Sequence, residues 1–125
     1  MIRILALSAA IATAAVAAQA AGHAHAPVKT SADGYLTDGH DMTLYTFDKD
    51  SAGQSACYDK CAVAWPPLAL EEGAKLPEGF DLIKRTDGTE QIAYKGQPLY
   101  LWFKDTAPGE TSGDGVKGVW HIAKP

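Results

Sequence analysis

A mainly β domain with one short helix, a single small unit built from two related halves, is the fold this sequence predicts, and three observations carry it. From residue 35 to the end, short apolar or aromatic runs alternate with clusters of Gly, Pro, Asp and Ser, the texture of a strand-rich domain. One segment, 55–64, departs from that texture: Ala56, Cys57, Cys61, Ala62 and Ala64 precede Trp65-Pro66-Pro67, which suits a short helix stopped by proline. The third observation is a repeat at a fixed offset of 55 residues. Leu44-Tyr45-Thr46-Phe47-Asp48-Lys49-Asp50 aligns with Leu99-Tyr100-Leu101-Trp102-Phe103-Lys104-Asp105, and the same offset carries Trp65 onto Trp120.

The chain opens with a charged Arg3, an Ala-rich apolar run over 4–16 and Ala18-Gln19-Ala20, the three parts of a secretory signal over 1–20. No later stretch approaches the roughly 20 apolar residues that span a bilayer. The first cysteine is Cys57, so no thiol stands near Ala20 to take a lipid anchor. The mature product is expected to be exported, to the periplasm or beyond the cell. Loss of Arg3 with the leader takes the net charge from −4 to −5, which argues against a nucleic-acid surface, because phosphate binding needs a basic stripe.

Residues 21–34 are small, polar and without apolar period, and predict a flexible lead carrying His23 and His25. The domain then occupies 35–125, with strands expected over 43–48, 81–85, 89–94, 98–104 and 118–123. Asp87-Gly88 suits a tight type I′ hairpin turn. Ser55 can cap a helix over 55–64, which places Cys57, Cys61 and Trp65 on one face, pressed onto the sheet. The run 111–118 occupies the place of that helix in the second copy and is expected to be a loop.

The repeat copies cover about 43–68 and 98–123. Two copies are too few for a solenoid, so they are expected to be two halves of one core with approximate two-fold symmetry. Strand alternation puts Tyr45, Phe47 and Lys49 on one side, with Leu44, Thr46 and Asp48 on the other. In the second copy Tyr100, Trp102 and Lys104 oppose Leu99, Leu101 and Phe103, an apolar set that predicts a central strand, with the first copy nearer an edge. Asp50 and Asp105 precede turn material and are expected to accept backbone N–H bonds there; acid chemistry would need the two to converge on one site. Tyr45, Phe47, Trp65, Tyr100, Trp102 and Trp120 are read as core, against the alternative of a ligand-stacking cleft.

Together with Cys57-x3-Cys61, Trp65-Pro66-Pro67-Leu68, the run Gln91-Ile92-Ala93-Tyr94-Lys95-Gly96-Gln97-Pro98-Leu99-Tyr100 and the closing Gly118-Val119-Trp120, these residues make the chain resemble the bacterial secreted-repeat proteins. These are predicted lipoproteins with a Y-x-(F/W/Y)-x-x-D motif and of unknown function. The resemblance spans about 35–122. It implies export and fold without implying a reaction, and the missing lipobox cysteine keeps membrane anchoring from being carried over.

Two cysteines in an exported chain suit a disulfide; the same Cys57-x3-Cys61 spacing admits a thiol pair that binds copper or exchanges electrons. A cut after Ala20 would expose Ala21-Gly22-His23, whose amine, amides and imidazole can enclose Cu(II) in a square plane, with His25 auxiliary. His40 and His121 are isolated and suit a surface or a hydrogen bond. No G-x-S-x-G, H-E-x-x-H or phosphate-cradling loop is present. The sequence thus points to an exported non-enzymatic envelope module with no expected cofactor, binding an envelope partner or small ligand. Its alternative is a periplasmic copper-binding or thiol redox protein. A hydrolase using Asp50 and Asp105 ranks last, since no activated nucleophile is visible.

Overall fold

The computed structural model describes residues 26–125. Each half begins with an antiparallel hairpin. In the first, Val28–Thr30 (β1) pairs with Leu36–Asp38 (β2). In the second, Phe80–Lys84 (β4) pairs with Glu90–Tyr94 (β5), which also takes the two-residue strand Gln97–Pro98 (β6). Between them lie Tyr45–Phe47 (β3) and the helix Lys60–Ala64 (α1), and the chain closes with Trp120–Ile122 (β7), which pairs with β3.

Of the flexible lead expected over 21–34, the described part is corrected by β1, while 21–25 lie outside the described residues. Lys29, Thr30 and Ser31 disguise a strand in which only Val28 is buried, yet its backbone is paired with β2 along its whole length. Structure is therefore present ahead of residue 35, from Val28 onward.

Hydrogen bonds after the hairpins repeat from half to half. Leu44 donates to Leu36 O at 3.0 Å, and Leu99 donates to Ile92 O at 3.0 Å. Leu68 donates to Leu99 O at 2.9 Å, and Ala123 donates to Leu44 O at 2.8 Å. The two copies meet where Tyr45 and Tyr100 exchange backbone bonds, 2.8 Å one way and 3.0 Å the other. Since residue 100 is residue 45 plus the repeat offset, the pseudo-two-fold axis passes between these two tyrosines. An antiparallel pair has such an axis by construction, so a duplicated strand can pair with its own copy at no geometric cost.

Alternation then sorts the two faces into two cores. Leu44 and Leu99 enter an aliphatic cluster with Leu36, Leu68, Ile92 and Ala123. Tyr45 and Tyr100 enter an aromatic cluster with Cys57, Trp65 and Trp120, against which Phe47 and Trp102 pack.

Several elements differ from expectation. Tyr45 bridges both Ile122 and Tyr100, so the first copy is as central as the second rather than nearer an edge. The strand expected over 98–104 ladders only at Gln97–Pro98; beyond it Leu101 donates to Pro66 O at 2.8 Å and Phe103 to Ala64 O at 2.9 Å. Pro66 and Pro67 have no N–H to return, which leaves that pairing one-sided where the equivalent β3–β7 contact is a true ladder. Phe103, expected inside, is 55% exposed. The helix starts at Lys60, not Ser55, because Asp59 takes a positive φ of 54° that breaks the helical run, although Ser55 Oγ still accepts from Cys57 N–H two residues on, as well as from Arg85. At the Asp87-Gly88 turn only Gly88 has positive φ, so the loop is not type I′; Arg85 donates to Thr89 O and accepts from Gly88 N–H, a wider turn with Gly88 as the left-handed residue. In the second copy a short 3-10 turn at Val116–Gly118 stands where α1 stands in the first.

Candidate functional site

Four rings stack into one column across the pseudo-two-fold axis. Phe47 lies on Trp120 with centroids 4.2 Å apart, Trp120 on Trp65 at 3.7 Å and 4°, and Trp65 on Trp102 at 3.8 Å. The two central tryptophans are repeat equivalents, and so are the outer Phe47 and Trp102. Edge contacts repeat as well: Tyr45 meets Trp65 at 78° and Tyr100 meets Trp120 at 90°. Each aromatic contact adds about 0.5–1.5 kcal/mol beyond the area it buries. Gly113 completes the packing, since a Cβ there would lie 2.8 Å from Trp65, 2.9 Å from Tyr45 and 3.0 Å from Trp102.

The motif aspartates are used across the halves. Tyr45 Oη donates to Asp105 Oδ2 at 2.5 Å, and Tyr100 Oη donates to Asp50 Oδ2 at 2.7 Å. Each remaining carboxylate oxygen accepts from its own loop: Asp50 Oδ1 from Ala56 N–H at 2.7 Å, Asp105 Oδ1 from Ser112 N–H at 3.0 Å and its hydroxyl at 2.6 Å. The turn-holding role expected for these acids is present, with a tyrosine of the opposite half added to each. Burial pushes the Asp50 carboxyl above its ordinary value, with the bonds from Tyr100 and Ala56 and the charge of Arg85 pulling the other way. Burial first, then the bond to Asp105, raises the Tyr45 phenol. Burial likewise raises Tyr100, with the bond to Asp50 adding to it and that from Ser55 opposing it. Both phenols are therefore held as donors.

A network that the sequence reading missed fixes the first half. Arg85 is 3% exposed; its guanidinium donates to Ser55 Oγ at 2.9 Å, to Gln91 Oε1 at 2.7 Å and to Cys57 O. Gln91 passes the chain on through its amide to Leu99 O at 2.7 Å. Ser55 in turn donates to Tyr100 Oη, which is committed as a donor to Asp50. The available signal was composition: Arg85 is the only arginine after Arg3, in a chain whose other cations are lysines, and a rigid fork suits several fixed acceptors at once.

Beside the ring column lies a groove of about 410 Å³, and it sits on the axis. Phe47 and Trp102 line it as equivalents, as do Trp65 and Trp120, and Ala64 and Val119. Cys61 and Val116 form a further equivalent pair. Symmetry fails at the charges. Lys49, Lys60 and Lys117 line the groove, while their repeat counterparts are Lys104, Gly115 and Ala62. Lys104 instead stands 5.7 Å above the Phe103 ring. Among the described residues none of the three groove lysines has an acidic side chain within 4.0 Å. Among the described residues the indole N–H of Trp102 is buried and finds no hydrogen-bond partner.

Cys57 and Cys61 form a disulfide with Cα atoms 5.2 Å apart. Cys57 precedes the helix and is fully buried, so the two cysteines do not share a helical face; Cys61 reaches the groove wall. The second half has Ser112 and Val116 at those places. His121 Nε2 lies 2.8 Å from Asp48 Oδ2, and His40 Nε2 is 3.7 Å from Glu71. Ala21, Gly22, His23 and His25, and the predicted signal, lie outside the described residues. Among the described residues no group of three or more His, Cys, Asp or Glu is placed to hold a metal, and no helix is long and apolar enough to cross a membrane.

No curated protein and no solved structure is significantly similar to the chain. A family model described as a secreted repeat of unknown function matches it twice, over residues 28–69 and 81–124. Those segments coincide with the two halves, each starting at its hairpin and ending after its tryptophan, and they cover more than half of the chain. The chain therefore belongs to this secreted-repeat family.

Proposed function

We propose that the protein is an exported, non-enzymatic module of the cell envelope that binds a small ligand in the groove on its pseudo-two-fold axis. The observation that carries this reading is the lining: a wall of stacked aromatic rings with three lysines that have no acidic partner among the described residues, in a chain whose net charge is −4. Such a surface is more than core packing requires. Small-molecule sites combine apolar walls with a few convergent polar groups, and three cations around one apolar hollow have that form. The motif acids do not favour an enzyme, because each of their four oxygens already serves a tyrosine or a loop. All three tryptophans of the chain line the groove, so their indole N–H signals in an NMR spectrum report on it. Addition of the small-molecule fraction of the producing cell's envelope should shift those signals. Unchanged indole signals with every fraction would remove the groove as the site. Intact mass of the secreted protein gives the cut that the first twenty residues predict.

A further inference from the structure

We propose that the ligand is a small planar aromatic anion, an inference that rests on the groove being the binding site. Its volume of about 410 Å³ falls in the range of small-molecule sites, roughly 300–1,000 Å³. The sign of the charge follows from two sources. Lys49 follows β3, Lys60 opens α1 and Lys117 lies in the 3-10 turn, so three separate segments bring lysines to one hollow whose lining contains no Asp or Glu. The nearby Asp48 is already held by His121. The rings supply the second source. Trp65 is covered on both faces by Trp120 and Trp102, and Trp120 by Phe47 and Trp65, so these rings can offer the groove only their edges. Ring edges carry the positive part of the aromatic quadrupole and favour negative charge.

Flatness and low hydroxyl content follow from what the lining lacks. Apart from the lysines its side chains are aromatic or aliphatic or belong to the disulfide, with no Ser, Thr, Asn, Gln, Asp or Glu to satisfy the hydroxyls of a sugar. A polyhydroxylated ligand would leave its own groups unpaired there, at a cost that opposes binding. An apolar plate with an anionic margin matches both parts of the surface.

The test uses four probes on the secreted protein: a naphthalene carboxylate, naphthylmethylammonium, cyclohexane carboxylate and glucuronate, each titrated to about 1 mM while the indole N–H signals are followed. The carboxylate of naphthalene should shift them saturably, and added salt should weaken it. Lys60→Gln and Lys117→Gln should each loosen it by about two- to fivefold, whereas Lys124→Gln, outside the groove, should not. Melting temperatures of the three variants should match the parent, which separates lost binding from lost fold. If glucuronate or cyclohexane carboxylate binds as tightly, the aromatic class is wrong while the groove stands as a binding site. Tighter binding of the ammonium probe overturns the charge argument in the same way. If no probe saturates, both this inference and the groove as the site fall.

Discussion

Replacing Tyr45 by Phe removes one oxygen and disturbs both halves. That hydroxyl donates to Asp105 Oδ2 in the second half and accepts the N–H of Gly113, 3.1 Å away. Asp105 is 7% exposed and Gly113 is buried, so neither group recovers its lost partner from bulk water. A hydrogen bond to a carboxylate contributes about 1.5–3 kcal/mol, and a buried amide left unsatisfied costs about 1–3 kcal/mol, so Tyr45→Phe should destabilise by about 3–5 kcal/mol. The equivalent change in the other half should cost less. Tyr100→Phe also removes the bond to Asp50, but Asp50 keeps Ala56 N–H, while Ser55 keeps Arg85 and Cys57. About 1.5–3 kcal/mol is expected there.

Urea unfolding of both variants, with the slope checked for constancy, measures the difference. A double-mutant cycle of Tyr45→Phe with Asp105→Asn isolates the bond between halves and should return a coupling of about 1–3 kcal/mol. Additivity within about 0.5 kcal/mol would show that the tyrosine acts only through packing, and would refute the cross-half exchange as a source of stability.

Alkaline pH tests the same two phenols: both folded values lie above the ordinary tyrosine value, so their stabilisation is complete below about pH 10 and is lost as pH rises from there toward the folded values, at about 1.4 kcal/mol per unit for each. Phenolate absorbance should therefore show two tyrosines that ionise only with unfolding. Asp50 should act in the sense opposite to a paired carboxylate, because its folded value is raised: stability falls as pH climbs from about 3.9, the ordinary carboxyl value, through the folded value, and Asp50→Asn should remove that slope from a stability–pH profile. Replacing Cys57 and Cys61 together by Ser opens a very short loop and should cost about 2 kcal/mol on the chain-entropy account, read as a lower midpoint in urea. Gly113→Ala forces a methyl against three rings and should cost about 1–3 kcal/mol, accompanied by a changed tryptophan emission spectrum.

Much of the architecture was legible because β alternation is a rule of period two. Once Leu44 and Tyr45 are placed on a strand, they must enter different cores, and they do; the repeat offset then puts Leu99 and Tyr100 in the same two cores. The offset also announced the axis. It could not announce which tyrosine meets which aspartate. Tyr45 and Asp50 lie five residues apart in one copy, a separation that suggests a local pair, and only the crossing of the two copies at Tyr45 and Tyr100 turns it into an exchange. Strand β1 was hidden because a hairpin edge needs only one inward side chain, Val28. The helix is shorter than propensity suggests because Asp59 takes a positive φ of 54°, which nothing in the local sequence announces. The three groove lysines have no common spacing, so no pattern marks them; they are gathered by the fold.

Symmetry itself divides scaffold from site. Where the two copies agree, the residues do structural work that both halves need: paired leucines in one core, paired rings in the column, and a tyrosine and an aspartate given to the opposite half. A duplicated strand that pairs with its copy satisfies those demands twice with one pattern. A ligand without two-fold symmetry makes unlike demands on the two sides of an axis, so a groove built on that axis must depart from the pattern to be selective. The departures from the repeat pattern lie in that groove. Lys60 takes the repeat position of Gly115, Lys117 that of Ala62 and the disulfide-bonded Cys61 that of Val116, and Lys60, Lys117, Cys61 and Val116 all line the groove that straddles the axis. Restoring symmetry by Lys60→Gly and Lys117→Ala should therefore leave the ring column intact while weakening the preference for an anion to what Lys49 and the ring edges sustain, a result that random drift at surface positions does not predict.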